Sequence, residues 1–458
     1  MREKLKLYII FVIIIFATLG ASAEEYTYKD TLKSAIDNSF ELKMSIFDIE
    51  ISKTQLKSVR ADWYPSLSLQ FNSEYNKDLD DGYGTYAYAG NTMITPYTQY
   101  RDMLYFTVSY NLLDFGIQGK KVHIAKQELA QKEISYNLKL KELKLKILDL
   151  YTKAQQYNYS INSKTAILAL YENMFKNKER LFKAGMNNKL SVMDEAIKIA
   201  KTQNEIDEAR IELKNILEDL KYHTNIDYKL TNLFFRNINE NSDELAIVPV
   251  NSFESNNTEA SKTNNILTFN PDETYESKYY DLEIDKKKSE LSILKRQLLP
   301  SFRIYAGYSL YGQDPHNYYS SMQDIEQRSF VVGISSQYTL FDGFKNKANR
   351  KKTKLEIEKL KIEKENKLNE LNRDYQKSYK SYETYQDELN INKNLLLSVK
   401  EKLEAVNRLK ANKLAEQNDL LSTKAELLNQ EYECEKNIIN ITSKLEELKI
   451  MSGVDIGL

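Results

Sequence analysis

The chain has 458 residues, of which 41% are hydrophobic and 29% charged, and its formal net charge is -1. A near-neutral chain has no electrostatic reason to bind nucleic acid. The single cysteine, Cys434, excludes an internal disulfide and a Cys-x-x-Cys metal site. Only 13 glycines and 6 prolines are present, and no proline lies between Pro96 and Pro249 or after Pro315. This scarcity of helix breakers predicts long uninterrupted helices.

Residues 1–23 are predicted to be a secretory signal peptide. A basic start is followed by an apolar run from Leu7 to Leu19 and by the small-residue cleavage site Ala21-Ser22-Ala23. The apolar run is too short for a good membrane span, although an uncleaved anchor is the alternative. No cysteine lies at the cleavage site, so a lipid anchor there is excluded. The mature chain would therefore enter a membrane only as strands or as an amphipathic surface.

The rest of the sequence contains one unit twice. Three sets of residues recur in the same order, at offsets of 235, 228 and 227 residues. They are Tyr64-Pro65-Ser66-Leu67 with Leu299-Pro300-Ser301-Phe302, Tyr110-Asn111-Leu112-Leu113-Asp114 with Tyr338-Thr339-Leu340-Phe341-Asp342, and Lys183-Ala184-Gly185 with Lys410-Ala411-Asn412. These matches predict a first repeat at 24–227 and a second at 273–458, joined by a Ser/Asn-rich connector at 228–272.

Each repeat is predicted to begin with a helix and to continue with two strands. An amphipathic helix at 28–62 ends before Pro65, and its counterpart at about 273–297 ends before Pro300. The hydrophobic period then changes to two, which predicts strands at about 65–77 and 101–113, and at about 301–311 and 328–340.

The predicted strands alternate apolar and polar side chains, and each is long enough to cross a bilayer when tilted. The apolar, lipid-facing positions are expected to include Leu69, Phe106, Val108, Ile304 and Ile334. Aromatic residues lie where interfacial girdles belong, namely Trp63, Tyr64, Tyr75, Tyr100 and Tyr311. The alternative is an ordinary half-buried antiparallel sheet, which has the same alternation.

A helical hairpin is predicted after each pair of strands, at 118–222 and at 345–451. Gly185 is expected to reverse the first hairpin in a left-handed conformation, and Asn412 the second. A heptad of mostly apolar and aromatic residues runs from Leu368 to Val406, which predicts left-handed supercoiling.

No arrangement of residues points to catalysis. His123, His223 and His316 lie far apart, with no metal-ligand or triad spacing, and the sequence has no phosphate-binding loop. The carboxylates are scattered beside lysines on helix faces. The sequence therefore predicts a protein that is not an enzyme and that has no cofactor or metal.

Taken together, these features resemble the TolC family of outer membrane efflux proteins. The resemblance is carried by the duplicated unit, the Pro-Ser before each first strand, the turns at Leu112–Gly116 and Leu340–Phe344, and the helical tips. It implies a mainly α fold with membrane β, in which a homotrimer forms a 12-stranded β-barrel on a periplasmic α-helical barrel. The implied function is a passive exit duct in the outer membrane, whose helices extend into the periplasm, for tripartite efflux or type I secretion. Its implied partners are a periplasmic adaptor protein, an inner-membrane pump and outer-membrane lipid, without nucleic acid.

Physical constraints support a trimer independently of the resemblance. Four strands cannot close a membrane barrel, and open strand edges are not viable in lipid. Two chains would give a barrel filled by side chains, whereas three would leave an aqueous pore. The alternatives are a secreted or surface coiled-coil adhesin, which needs no strand hairpins, and a periplasmic adaptor, which is not built as two copies in series.

The resemblance also assigns two sets of site residues. The adaptor-docking tips are predicted at Lys183, Ala184, Gly185 and Met186, and at Lys410, Ala411, Asn412 and Lys413. The narrow periplasmic aperture is predicted at Ser191 and Asp194, and at Asn418 and Leu421, where the family carries paired acidic residues. Rings of Asn and Leu would give weak cation selectivity, and a shift of one residue would place Asp419 on the axis instead.

Overall fold

The computed structural model describes residues 25–77, 84–88, 91–95, 99–228, 234–235, 269–314, 317–323, 325 and 327–453. The predicted signal peptide and most of the predicted connector lie outside the described residues. The first repeat comprises β1 (Glu25–Tyr26), α1 (Tyr28–Asn38), α2 (Phe40–Ala61), β2 (Ser66–Asn76), β3 (Gly84–Tyr88), β4 (Asn91–Thr95), β5 (Gln99–Leu113), α3 (Ile117–Lys183) and α4 (Lys189–Thr224).

The second repeat has the same order of long elements. After β6 (Phe234–Phe235) and a 3₁₀ turn (Pro271–Glu273), it comprises α5 (Tyr275–Arg296), β7 (Ser301–Asp314), α6 (Tyr318–Gln323), β8 (Gln327–Gln337), α7 (Lys345–Ala411) and α8 (Gln417–Ser452). Helices α3 and α7 both have 67 residues, and α4 and α8 both have 36. The predicted fold class, a duplicated helix–hairpin–long helix–helix unit, is confirmed.

The first helix differs from the prediction, because 28–62 is two helices and not one. Ser39 has extended backbone angles between α1 and α2. Its amide donates to the carbonyl of Ala35, which ends α1, and its hydroxyl accepts from the amide of Leu42 at 3.3 Å, which begins α2. Serine favours such breaks because its hydroxyl replaces a missing backbone partner.

Two compact units are present, and each takes residues from both repeats. The strand unit comprises 46–134 and 278–365, and the helical unit comprises the described residues of 1–45, 135–277 and 366–458. In the helical unit, α1 packs on the middle of α3 and the end of α4, with Tyr28, Ala35, Tyr151 and Leu220 at the centre of the core. The compact units therefore cut across the predicted repeats, whose boundaries stay a prediction.

The heptad of α7 packs as expected. None of its twelve positions from Leu368 to Val406 is exposed. Leu389 contacts Cys434 and Ile441 of α8 in a small core of the helical unit. The a/d pattern therefore identified the buried face of this helix correctly.

In the strand unit, four long strands form one antiparallel sheet in the order β2-β5-β7-β8. Strands β2 and β8 are its two edges. The connections to the helices all leave from one end of this sheet, because the two hairpins β2–β5 and β7–β8 close at the other end. Each repeat thus contributes one hairpin, and the central pair β5–β7 joins the repeats.

The junctions between strand and long helix are built alike in the two repeats. Asp114 accepts from the amide of Gln118 before α3, and Asp342 accepts from the amide of Asn346 before α7. The buried Gln118 amide group then donates to the carbonyl of Val59, and that of Asn346 donates to the carbonyl of Leu294. These pairs are separated by 228 and 235 residues, the offsets found in the sequence.

Candidate functional site

The four-stranded sheet has one apolar face. Leu69 lies opposite Phe106, Val108 lies opposite Ala306, and Ile304 lies opposite Ile334. Since residues paired across strands point to the same side, all five positions predicted to face lipid share this face. Their side chains are exposed by 36% or more. The predicted register of the strands is thereby confirmed.

The opposite face of the sheet is polar. It carries Ser66, Ser68, Gln70, Thr107, Ser109, Ser309, Ser329 and Ser335. Two tyrosine rings lie flat against this face, because a Cβ at Gly307 would come within 2.5 Å of the Tyr105 hydroxyl, and a Cβ at Gly333 within 2.6 Å of the Tyr305 hydroxyl. The glycines make room for the rings, so a smooth polar wall results.

One girdle residue was assigned to the wrong face. Tyr311 pairs with Met103 on the polar side of the sheet, and the Arg101 guanidinium lies 6.0 Å from its ring centre. Alternation from Leu310 explains the difference, because neighbouring residues of a strand point to opposite faces. Tyr75 and Tyr100 do lie on the apolar side, with ring centres 4.8 Å apart.

The short helix α6 covers the hairpin end of the apolar face. The Ser321 hydroxyl donates to a carboxylate oxygen of Asp102, and both residues are fully buried. The Tyr318 ring contacts Tyr100 edge-on at 6.3 Å. Helix α6 therefore shields a buried carboxylate that would otherwise interrupt the apolar face.

The two helical tips have the same backbone. The amides of Ala184, Gly185 and Met186 donate to carbonyls of the last turn of α3, and residues 412–414 repeat these bonds on α7 with an offset of 228. Gly185 has φ +71°, and its equivalent is Lys413 with φ +59°. The prediction that Asn412 adopts the left-handed conformation is therefore wrong by one residue, because the offset of 227 taken from Lys-Ala was one too short.

Each tip ends in an exposed apolar side chain. Met186 is 78% exposed, and Leu414, the residue at the equivalent place, is 75% exposed. Met186 belongs to the predicted docking residues, and Leu414 was missed because the Lys-Ala match placed the second tip one residue too early. The other predicted tip residues, 183–185 and 410–413, lie on the same two turns.

The predicted aperture residues fall on two different surfaces. Asp194 is exposed and Ser191 half-buried, whereas Asn418 and Leu421 are buried. The Asn177 side chain of α3 donates to Asn418 at 3.4 Å. At an offset of 228, the equivalents of Ser191 and Asp194 are Asp419 and Ser422, and both are exposed. Asp419 also accepts from the Glu416 amide at 3.0 Å, so it caps α8.

A buried acidic residue near the first tip was not identified from the sequence. Glu195 is 1% exposed, and one of its oxygens lies 2.8 Å from the Lys178 ammonium and 3.1 Å from that of Lys198. Burial alone would raise the pKa of Glu195, but the hydrogen bonds and charges of the two lysines lower it overall. The Glu195–Lys198 spacing on α4 was the available signal.

In the part of the chain that the structure describes, no group of three or more His, Cys, Asp or Glu side chains is arranged to hold a metal ion. No helix within the described ranges is long and apolar enough to cross a membrane. His123 of α3 lies 2.8 Å from the Asp285 carboxylate of α5, a polar contact between helix faces.

Comparison with known proteins relates these surfaces to transport. A family model described as outer membrane efflux protein matches residues 31–225 and 280–453. A structure of CusC, reported with its transmembrane channel formation, has a TM-score of 0.70 at 17% identity and covers 92% of both chains. VceC, an outer membrane protein of Vibrio cholerae, has a TM-score of 0.69 at 14% identity, covering 93% of this chain and 94% of its own. The CmeC outer membrane channel of Campylobacter jejuni has a TM-score of 0.71 at 12% identity, covering 93% and 85%. No curated protein sequence matches.

Proposed function

Because the chain belongs to the outer membrane efflux protein family, and is therefore an outer-membrane channel protein, we propose that it is the exit duct of a tripartite efflux or type I secretion system. The observation that carries the proposal is the sheet with one polar and one apolar face, joined at a single end to helices of 67 residues. Such a sheet suits a wall between lipid and water, and the helices suit a conduit that continues into the periplasm.

The duct is proposed to be a homotrimer. Four strands leave β2 and β8 as open edges, and open edges are not viable within lipid. If β8 of one protomer pairs with β2 of the next, three chains close a barrel of 12 strands with an aqueous lumen. The apolar face would then contact lipid, and the polar face would line the pore.

The conduit is proposed to be passive, with no catalytic activity of its own. Energy would come from an inner-membrane pump, and the pump would connect to the duct through a periplasmic adaptor. The two repeats, 24–227 and 273–458, would each supply one hairpin to the barrel and one helical hairpin to the periplasmic part. The segment 1–23 would be removed during export.

The helical tips are proposed to dock the adaptor. Their shared backbone places Met186 and Leu414 at equivalent exposed points, and exposed apolar side chains favour protein contacts. A photoreactive amino acid at Met186 or Leu414 is expected to give a covalent adduct that mass spectrometry identifies as a periplasmic adaptor. Lys201, an exposed residue of α4 away from the tip, is the matched control. Adducts of equal yield at Lys201 would contradict docking through the tips.

The aperture is proposed to lie one residue further along α8 than the sequence suggested. The backbone offset of 228 moves the second pair from Asn418 and Leu421 to Asp419 and Ser422, which are exposed. Three copies of Asp419, together with Ser191 and Asp194, would then surround the narrow end. One ring of three carboxylates concentrates cations, which reverses the expectation of weak selectivity.

Planar bilayer recordings of the purified protein test both the duct and its aperture. We expect stepwise, cation-selective conductance that becomes less selective in Asp419→Asn, since the amide keeps the capping acceptor and removes the charge. Asp374→Asn removes the same charge from an exposed site of α7, about 55 Å along the helix from its tip, and should change nothing. Absence of any conductance would contradict the duct, whereas equal selectivity in both variants would contradict only the aperture.

A further inference from the structure

The helices next to the sheet are strongly basic. Four helical segments of eleven residues adjoin the four strands: 51–61 of α2, 117–127 of α3, 286–296 of α5 and 345–355 of α7. They contain three, three, five and six basic residues respectively, and Glu290 is their one acidic residue. These segments, here called the basic collar, carry a formal charge of +16, whereas the whole chain carries -1.

The excess of positive charge stops abruptly along the helix. Residues 356–370 of α7 contain five acidic and four basic residues, and ion pairs such as Lys361–Glu358 connect them. The preceding segment, 345–355, has six basic residues and no acidic one. The charge is therefore a feature of the helix ends beside the sheet and not of the helices in general.

Most of the collar side chains face solvent without a carboxylate partner. Ten exposed ones make no ion pair with any residue that the structure describes: Lys57, Arg60, Lys121, Lys126, Lys288, Lys295, Lys345, Lys347, Lys351 and Lys354. So many unpaired like charges within one surface repel each other, unless an anionic partner compensates them.

The collar is separated from the sheet by a layer of exposed aromatic residues. Six residues at the junctions share this position: Trp63, Tyr64, Phe115, Tyr338, Phe341 and Phe344, all exposed by 38% or more. The order along each junction is thus an apolar strand face, an aromatic layer and then basic residues. This is the order in which a membrane presents its hydrocarbon core, its interface and its charged headgroups.

The dimensions agree with this order. Eleven helical residues extend about 16 Å, whereas the headgroup layer of one leaflet is about 5–8 Å deep. The first turn beside the sheet would lie among the headgroups. The rest would lie within about one Debye length, 8–10 Å, of their charges.

We propose that the basic collar binds anionic phospholipid headgroups of the inner leaflet of the outer membrane. The proposal rests on the proposed function in that the strands must cross this membrane with their helix-joined end toward the periplasm. The aromatic layer fixes the depth of the chain, and the lysines and arginines recruit phosphatidylglycerol or cardiolipin in preference to zwitterionic lipid. Charge complementarity and continuity with the apolar face of the sheet identify the occupant.

The chain contains a natural reporter for this contact, because Trp63 is its single tryptophan and is 52% exposed in the aromatic layer. The full chain is reconstituted into vesicles that contain phosphatidylcholine and phosphatidylglycerol, with bromine on the acyl chains of one lipid at a time. Bromine quenches indole fluorescence only at short range. The ratio of the two quenching efficiencies therefore measures which lipid lies beside Trp63.

We expect phosphatidylglycerol to be preferred roughly threefold or more at low salt, and less at high salt. The triple variant Lys53→Gln, Lys57→Gln and Arg60→Gln should reduce the preference toward one. The control triple variant Lys29→Gln, Lys33→Gln and Lys43→Gln removes the same charge from exposed positions more than two Debye lengths away along the helices. It should keep the preference.

Equal quenching by both lipids in the wild-type chain would overturn the proposal. So would a preference that persists in the collar variant, because anionic lipid would then be held by another surface. Absence of quenching by either brominated lipid would mean that Trp63 does not reach the bilayer. That result would count against the membrane-spanning sheet itself and so against the proposed function.

Discussion

The junction of β5 with α3 and the junction of β8 with α7 have the same backbone but different surfaces. Both turns contain two consecutive left-handed residues, Phe115 and Gly116 in the first repeat, and Gly343 and Phe344 in the second. Glycine and phenylalanine have exchanged places, and the turn is unchanged. The helix that follows has three basic residues in its first eleven in the first repeat, and six in the second.

The helical tips show the same relation between backbone and surface. Gly185 and Lys413 both have positive φ, although only glycine adopts this conformation without strain. What the repeats share is the hydrogen bonding that fixes the chain path, together with the buried amide of Gln118 or Asn346. What differs is the exposed side chains, through which the two repeats meet different surroundings.

The largest effect is expected from a charge on the apolar face of the sheet. Val108→Lys in the first repeat and Ile334→Lys in the second should each cost about 2–4 kcal/mol at mid-bilayer. Thr107→Lys and Ser335→Lys, one residue away on the polar face, are the matched controls. The amount of assembled protein in the outer-membrane fraction measures the effect. Equal loss in variants of both faces would show that the assigned lipid-facing side is wrong.

The buried amides of the junctions should contribute equally in the two repeats. Gln118→Leu and Asn346→Leu each remove a donor from a backbone carbonyl, which should cost about 1–3 kcal/mol. Thermal unfolding of the detergent-solubilised protein should show similar decreases for both. Asn366→Leu, on an exposed face of α7, should have little effect. A large decrease in only one of the two junction variants would end the structural equivalence of the repeats.

The first tip should tolerate an unbranched residue better than a branched one. An added Cβ at Gly185 meets nothing within 4 Å, so the cost of substitution there is backbone strain alone. Gly185→Val should cost about 1–2 kcal/mol and reduce export, whereas Gly185→Lys should resemble the second tip and keep most of the function. Thermal unfolding and adaptor cross-linking measure the two effects. Normal export by Gly185→Val would count against a docking role for this turn.

The smallest effect is expected in the opposite direction, at the second tip. Lys413→Gly relieves a left-handed non-glycine residue and should stabilise the helical hairpin by about 1 kcal/mol. The same unfolding measurement tests it, with Asn412→Gly as the control because Asn412 has no positive φ. If Asn412→Gly stabilises more, the tip alignment at 228 residues is incorrect.

Much of the fold was predictable because periodicity reports which side of an element is buried. The alternation of the strands assigned Leu69, Phe106 and Ile334 to one face, and the heptad identified the buried side of α7. The errors lie where local chemistry decides. Ser39 breaks a helix through its own hydrogen bonds, and Lys413 is left-handed where its sequence gives no glycine signal.

Two features needed the three-dimensional structure. The collar was not apparent in a near-neutral sequence, because its four segments are separated along the chain and meet only at one end of the sheet. Glu195 looks like an ordinary helix-face residue until its burial against Lys178 is seen.

The central claim is that three copies of this chain share one barrel, and native mass spectrometry of the protein extracted from the outer membrane tests it most directly. The account predicts a single assembly of three chains. It also predicts that this assembly persists until the detergent is strong enough to unfold the sheet, because each protomer needs its neighbours to pair the edges β2 and β8. A stable folded monomer or dimer under the same conditions would contradict it.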